Sequence, residues 1–340
     1  MIDLRSDTIT KPTPEMREAM AQAEVGDDVL GDDPTVQSLE LRTAEVLGMA
    51  ESVYMPSGTM ANQVALRSHT EPGDELLMDA NAHLYYYEGG APAAISGVMV
   101  RFIEATRGIF TGEQLRQAIR QENIHFPVPK LVCLENTHNR GGGSIWPLQA
   151  IAEVESVARE SGLKMHLDGA RIWNASVASG VGEKDYAKHF DSVSVCFSKG
   201  LGAPIGSALA GSHEFAKRAR RFRKMFGGGM RQAGIVAAAA LYALDHNRGR
   251  LAEDHSNARF LADGIAELPG VKLDPKAVQT NIVYFDVSLP AATVAAKLAD
   301  AGVLVLALGQ STIRVVTSLA VSRKAVAEAL TIMSKVLSGL

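Results

Sequence analysis

The chain has 340 residues, 46 % of them hydrophobic and 21 % charged, with a formal net charge of −4 at pH 7. That length leaves room for two domains and a large core, and the mild acidic balance excludes a nucleic-acid footprint over the whole surface. No apolar run approaches the roughly 18 residues of a membrane-spanning helix, and the start, MIDLRSDTITKP, carries charges at once and lacks the apolar core of a signal peptide.

Residues 1–33 are loop-like, with one short helix expected over 15–23. Asp33 and Pro34 open the next helix, an N-cap acid followed by proline in the first turn. It runs through Leu39, Ala44 and Leu47 and stops at Gly48. A short strand over 52–55 leads into Pro56, Ser57, Gly58 and Thr59, a turn that opens a helix over 60–68. Such a turn presents free backbone N–H groups and a hydroxyl at a positive dipole end, which suits a phosphate as well as an ordinary cap. Short apolar runs then predict strands over 75–78, 99–103, 131–135, 163–167, 192–197 and 206–210, with helices over 112–120, 147–160 and 214–225. This alternation implies an α/β fold with a mostly parallel sheet covered on both faces and ligands at the carboxyl ends of its strands. Helices over 235–246 and 251–268 lead out of it. Strands over 281–287 and 312–317 and helices over 293–301 and 322–337 make a smaller α+β C-terminal domain. The expected division is a large domain, 1–246, and a small one, 247–340.

Lys199 follows one of these interior strands, between Ser198 and Gly200. A strand-end lysine commonly snorkels to water. In a dry site, however, a lysine loses its proton more readily, and the neutral amine forms a Schiff base with a carbonyl. Asp168 ends an earlier strand in LKMHLDGAR, 31 residues upstream (199 − 168). That gap holds one helix and one strand, so both side chains reach the same sheet edge. A lysine to take up an aldehyde and a carboxylate to pair with a protonated pyridine nitrogen are what pyridoxal phosphate requires.

The remaining clusters are plainer. KRARRFRK, residues 217–224, is expected to be a solvated helix face with Phe222 inward. Glycines 227–229 mark a flexible or close-approach loop rather than a dinucleotide fingerprint, and glycines 141–143 a surface turn. Cys133 and Cys196 lie in apolar runs and suit the core of a protein in a reducing, cytoplasmic compartment. His83, His125 and His138 lack the spacing of zinc patterns, so no metal is expected.

Seven motifs carry a resemblance: LRSDT (4–8), VGDDVLGDDP (25–34), PSGTMAN (56–62), LENTHN (134–139), HLDGAR (166–171), SKGLGAPIGS (198–207) and GGGMRQAG (227–234). In order and covering residues 2 to about 320, they resemble the L-threonine aldolases, fold type I pyridoxal phosphate enzymes of the aspartate aminotransferase superfamily. The resemblance implies a carbon–carbon lyase that cleaves threonine, allo-threonine and related β-hydroxy-α-amino acids to glycine and an aldehyde. It implies that Lys199 binds pyridoxal 5'-phosphate, that Gly58 and Thr59 hold its phosphate and that Asp168 pairs with its ring nitrogen. His83 would stack on the ring and accept the substrate's hydroxyl proton, directly or through a water held with His125, a second catalytic histidine that lines the site and helps recognise the β-hydroxyl; His138 would do no more than orient its loop. Ser6, Arg171 and Arg314 would hold the substrate carboxylate, with Arg171 also beside the cofactor. Arg231 would reach the phosphate of a neighbouring subunit in a homotetramer built as a dimer of dimers. Leu30 and Ser318 stand where relatives carry tyrosine and histidine, which leaves the preferred side chain open. A phenylserine-type aldolase, or a fold type I lyase acting by β-elimination, would share Lys199 and Asp168.

Overall fold

The structure is a computed structural model and describes residues 1–339. After a two-residue strand, β1 (Ile2–Asp3), come β2 (Glu51–Met55), β3 (Glu75–Asp79), β4 (Met99–Ile103), β5 (Pro129–Glu135), β6 (Lys164–Gly169), β7 (Ser192–Cys196) and β8 (Ser207–Gly211). Strands β2 to β8 form one sheet in the order β2-β8-β7-β6-β5-β3-β4. Only β8 is reversed; the other six run parallel. Strands β3, β7 and β8 are buried at every residue, which explains their unbroken apolar runs: helices cover both faces of the sheet. A core containing Trp146, Trp173, Tyr186 and Phe197 fills one side.

The expected helix start at Asp33 is present: its Oδ1 accepts from Val36 N at 3.0 Å, and Gly48 closes the helix Pro34–Leu47 with a φ of 65°. Helices Ile172–Ser179 and Glu183–Ala187, by contrast, have no expected counterpart. Each is too short to show a clear 3.6-residue period.

The small domain holds β9 (Val271–Lys272), β10 (Ile282–Val287), β11 (Val303–Leu304), β12 (Leu306–Leu308) and β13 (Thr312–Val316). Its sheet, β12-β13-β10-β9, is antiparallel throughout. Three helices, Leu251–Ala266, Ala291–Asp300 and Arg323–Ser338, contribute to a second core with Val283, Phe285 and Ile313. Strand β1 pairs in parallel with β11, and Leu4 is buried in this second core. The chain's first residues therefore join the small domain before crossing to the large one, and the crossing carries Ser6 and Asp7 between the two.

Two expectations need correction. Residues 141–143 are not a plain surface turn. A Cβ on Gly141 would lie 2.3 Å from Arg107 O, and one on Gly143, whose φ is +70°, would lie 2.4 Å from Thr280 Oγ1. Gly141 lets its loop close on Arg107 of the same domain, and Gly143 lets Thr280 of the small domain come close. The basic helix His213–Met225 is only partly a solvated face. Arg223 is buried against Asp28 at 3.0 Å and Tyr54 O at 2.8 Å, and Arg220 bridges Glu40 and Glu51. Phe222 does point inward.

Candidate active site

Asp79, Glu135, Asp168 and the segment leading to Lys199 all stand at the carboxyl edge of the parallel strands. Lys199 is half-buried, and its carbonyl is pinned by Thr10 Oγ1 at 3.0 Å and Gly202 N at 2.9 Å. Its positive charge acts on two buried carboxyls, Asp168 and Asp7. Asp168 Oδ2 accepts from Asn62 Nδ2 at 2.8 Å and Oδ1 from Ala170 N at 3.1 Å. Burial opposes the charge of Asp168, but His83, Lys199 and the Asn62 bond outweigh it and hold the carboxyl below its ordinary value. A carboxylate kept ionised there suits a pyridinium nitrogen.

The twelve-residue helix Gly58–His69 begins beside this edge. Ser57 Oγ caps Met60 N at 3.1 Å. The amides of Gly58 and Thr59 have no protein partner among the described residues, which leaves a cradle for a phosphate. A Cβ at position 58 would come within 2.8 Å of Cys196 Sγ, so glycine is needed for this helix to start so close to β7. These residues fit pyridoxal phosphate: open amides for the phosphate, an ionised acid for the ring nitrogen and an amine for the aldehyde.

His83 opens a single helical turn, His83–Tyr86, just after β3, and Glu135 Oε2 accepts its backbone N–H at 2.7 Å. Its Nδ1 lies 3.0 Å from Glu88 Oε1. Burial works against charging the ring, but the bond to Glu88 and the negative Asp168 outweigh it and raise the His83 pKa. His138 is bonded within its own loop. Its Nδ1 accepts from Gly141 N at 2.9 Å, and its Nε2 lies 3.2 Å from Asp79.

A second group sits where the two domains meet. Arg171 is buried and bidentate to Asp7, with Nε to Oδ2 and Nη2 to Oδ1 both at 2.7 Å. Asn281 Nδ2 donates to the same Asp7 Oδ2 at 3.2 Å. Burial would push the Asp7 pKa up; the Arg171 guanidinium, with Lys199 and Asn281, instead holds it down at about 2. Arg314, on β13, donates through Nη1 to Asn139 Oδ1 at 3.0 Å and through Nη2 to Arg5 O at 3.1 Å. Its Nε is buried and unpaired among the described residues. Ser6, next to Arg5, caps Thr8 N at 3.2 Å.

His125 and Arg231 are not brought to this cluster within one chain. His125 is exposed just before β5, and that strand begins beside Glu75 at the amino edge of the sheet. Seven residues of strand, roughly 23 Å, separate that edge from Glu135. Arg231 is exposed and pairs with Asp27 at 2.8 Å. Beside its loop a cavity of about 480 Å³ is lined by Leu30, Glu40, Arg220, Lys224 and Gly229. The sequence alone does not single out Asp7, Asn62, Glu88 or Asn139 as site residues, although Asp7, Asn62 and Asn139 stand inside motifs already quoted and Glu88 directly precedes a Gly-Gly pair.

A lysine and an acid at one sheet edge, with an open phosphate cradle and a domain-spanning arginine, define the class. The chain belongs to the beta-eliminating lyase family, whose profile matches residues 3–288. It is 44 % identical over 323 residues to the probable low-specificity L-threonine aldolase 2 of Arabidopsis thaliana, covering 93 % of this chain and 91 % of that one. It is likewise 44 % identical over 330 residues to the low specificity L-threonine aldolase of Escherichia coli (strain K12), covering 96 % and 97 %. In fold it matches the threonine aldolase of Leishmania major with a TM-score of 0.85 at 22 % identity, covering 99 % of this chain and 100 % of that one.

Proposed function

We propose that the protein is a pyridoxal phosphate-dependent aldolase that cleaves L-threonine, L-allo-threonine and related β-hydroxy-α-amino acids to glycine and an aldehyde. The observation that carries this reading is Lys199 beside an ionised Asp168 at one sheet edge, with Arg314 bonded to Asn139 just beyond β5 and its Nε unpaired among the described residues, in a chain closely similar to proteins named threonine aldolases. Lys199, Asp168, Gly58, Thr59 and the face of His83 would hold the cofactor. Bound there, pyridoxal phosphate supplies the electron sink for the breaking Cα–Cβ bond. Arg314, Ser6 and Nη1 of Arg171, the nitrogen not committed to Asp7, would hold the substrate carboxylate and so would set which bond at Cα is broken. His83 takes the hydroxyl proton. Lys199 Nζ would hold the cofactor through its aldehyde carbon. A proton returned to Cα gives glycine, and threonine gives acetaldehyde.

The clamp is assembled between domains 1–246 and 247–340, because Arg171 and Arg314 come from opposite sides and Ser6 from the crossing segment. A homotetramer, a dimer of dimers, would bring Arg231 and His125 to neighbouring sites. This is supported by their exposure and by exposed apolar side chains at Met99 and Phe102 on the open edge strand β4 and at Ile124, Phe126 and Val128 just before β5. A cytoplasmic location is supported by two buried, unpaired cysteines. Among the described residues no helix is long and apolar enough to cross a membrane.

The test is to supply the holoenzyme with L-threonine and L-allo-threonine separately and to follow acetaldehyde and glycine. Equimolar products from either isomer support the reading. Ammonia and a keto acid with no acetaldehyde would replace it with β-elimination. Arg314→Leu is expected to lower kcat/KM by roughly 10- to 150-fold, mostly through KM, because a charge-assisted bond to the carboxylate is lost. An unchanged KM would remove Arg314 from the clamp.

A further inference from the structure

Glu88 is the least expected side chain near the site. Tyr85, Tyr86 and Tyr87 before it are exposed, and Gly89 and Gly90 after it have φ of +62° and +77°. The turn those glycines allow sends the Glu88 carboxylate inward, where its side chain is fully buried. Burying a carboxylate is costly unless its oxygens are satisfied. Three side chains satisfy it: His83 Nδ1 at 3.0 Å, Asn62 Nδ2 at 2.8 Å and Gln63 Nε2 at 2.6 Å.

Asn62 connects this carboxylate to Asp168. Its Nδ2 donates to Glu88 Oε1 and to Asp168 Oδ2, both at 2.8 Å, so one amide bridges two buried acids. Its orientation is fixed from behind, because Oδ1 accepts from Ser194 Oγ at 2.8 Å and from His166 Nε2 at 3.3 Å. His166 Nδ1 meets Ser192 Oγ at 2.8 Å, and His69 Nε2 meets the same hydroxyl at 2.8 Å. Burial depresses both histidines, to about 4 for His166 and about 3 for His69, so both rings are neutral. Every donor then has one direction: His69 to Ser192, Ser192 to His166, His166 to Asn62, and Asn62 to the two acids.

We propose that Glu88 is the positioning residue of His83, fixing the ring proton on Nδ1 and presenting a bare Nε2 as the acceptor of the substrate's hydroxyl proton, with Asn62 locking Glu88 and Asp168 in register. The logic is that of a carboxylate behind a catalytic imidazole: it sets the tautomer and stabilises the imidazolium once the proton arrives. It rests on the reading above that His83 is the base. The charged groups facing His83 are Glu88 on its own loop, Glu135 at the end of β5, Asp168 on β6 and Lys199 after β7, with the Tyr87 ring 5.5 Å away.

The test compares Glu88→Gln, His83→Asn and the double variant as holoenzymes, with the pH profile of kcat/KM for threonine cleavage as readout. A base must be unprotonated, so activity falls as pH drops through its pKa, and a carboxylate beside it raises that pKa. Glu88→Gln is expected to move the acid limb down by about one pH unit and to lower the plateau by on the order of 10-fold or more. In the His83→Asn background it should add less than threefold. Full activity in His83→Asn would remove the base reading itself. A damaged His83→Asn alongside an unshifted acid limb in Glu88→Gln would overturn the positioning role alone. A second measurement needs no variant: the ring-nitrogen shifts of His83 in labelled wild-type holoenzyme should report Nδ1–H with bare Nε2, and the opposite tautomer would overturn the proposal.

Discussion

Replacing Lys199 with alanine should lower acetaldehyde release from threonine by on the order of 10⁴-fold or more, the scale on which removing a covalent catalytic group acts. The yellow colour of a lysine-bound aldehyde should vanish as well. The expectation follows from position. Lys199 is held at the backbone by Thr10 and Gly202 just beyond β7, and its charge bears on Asp168 and Asp7. Removing the amine leaves the Asn62 and Ala170 bonds of Asp168 in place, together with the open amides of Gly58 and Thr59. The variant should therefore still take up the cofactor, and because the side chain is half-buried its melting point should stay within a few degrees of wild type. Acetaldehyde release above a tenth of the wild-type rate would show that Lys199 is not the group that carries the cofactor.

The part of the fold that was legible in the sequence is the part with strong periodicity. The buried parallel strands announced themselves as apolar runs because helices bury both of their faces, and the polar residues at or just beyond their carboxyl ends, Asp168 and Lys199, therefore stood out. Strand β1 has two residues and shows no period. Its assignment rests on pairing with β11, some 300 positions away (303 − 2 = 301), which no local window contains. The packed glycines 141–143 were obscured for a similar reason: Thr280, which one of them abuts, comes from the other domain.

The site divides the same way. Residue types that carry rare chemistry, a lysine after a buried strand or an arginine in one, can be suspected from their type alone. Asp7 and Glu88 cannot, because an acid is ordinarily a surface residue and only the fold shows these two buried. Arg171 illustrates the difference. The resemblance assigns it to the substrate carboxylate, whereas the structure commits two of its three nitrogens to Asp7. Nη1 would be left for the proposed carboxylate contact, and Asp7 would then aim the guanidinium. The departures at Leu30 and Ser318 also separate here: Leu30 is exposed beside the cavity near Arg231, while Ser318 is buried.

Asp7→Asn should destabilise the folded protein by about 3–5 kcal/mol at pH 7, the usual cost of leaving one partner of a buried ion pair uncompensated. The pair has both partners almost fully buried and two bonds of 2.7 Å, and Asn281 depends on the same carboxylate. The pH dependence has a definite sign. The Asp7 pKa is about 2 when folded and about 3.9 in an unfolded chain, so its charge stabilises the fold above about pH 4. That contribution, of order 2–3 kcal/mol, is lost as pH falls from about 4 towards about 2. Denaturant unfolding of wild type and variant between pH 7 and pH 3 should show a gap that is constant down to about pH 4 and narrows below it. Activity should fall too, since Arg171 without Asp7 is free to swing out of the clamp, and the loss should appear in KM before kcat. A gap under 1 kcal/mol at pH 7 would mean that Arg171 finds another partner when Asp7 is neutral, and the clamp would then owe its geometry to Arg314 and Asn139 instead.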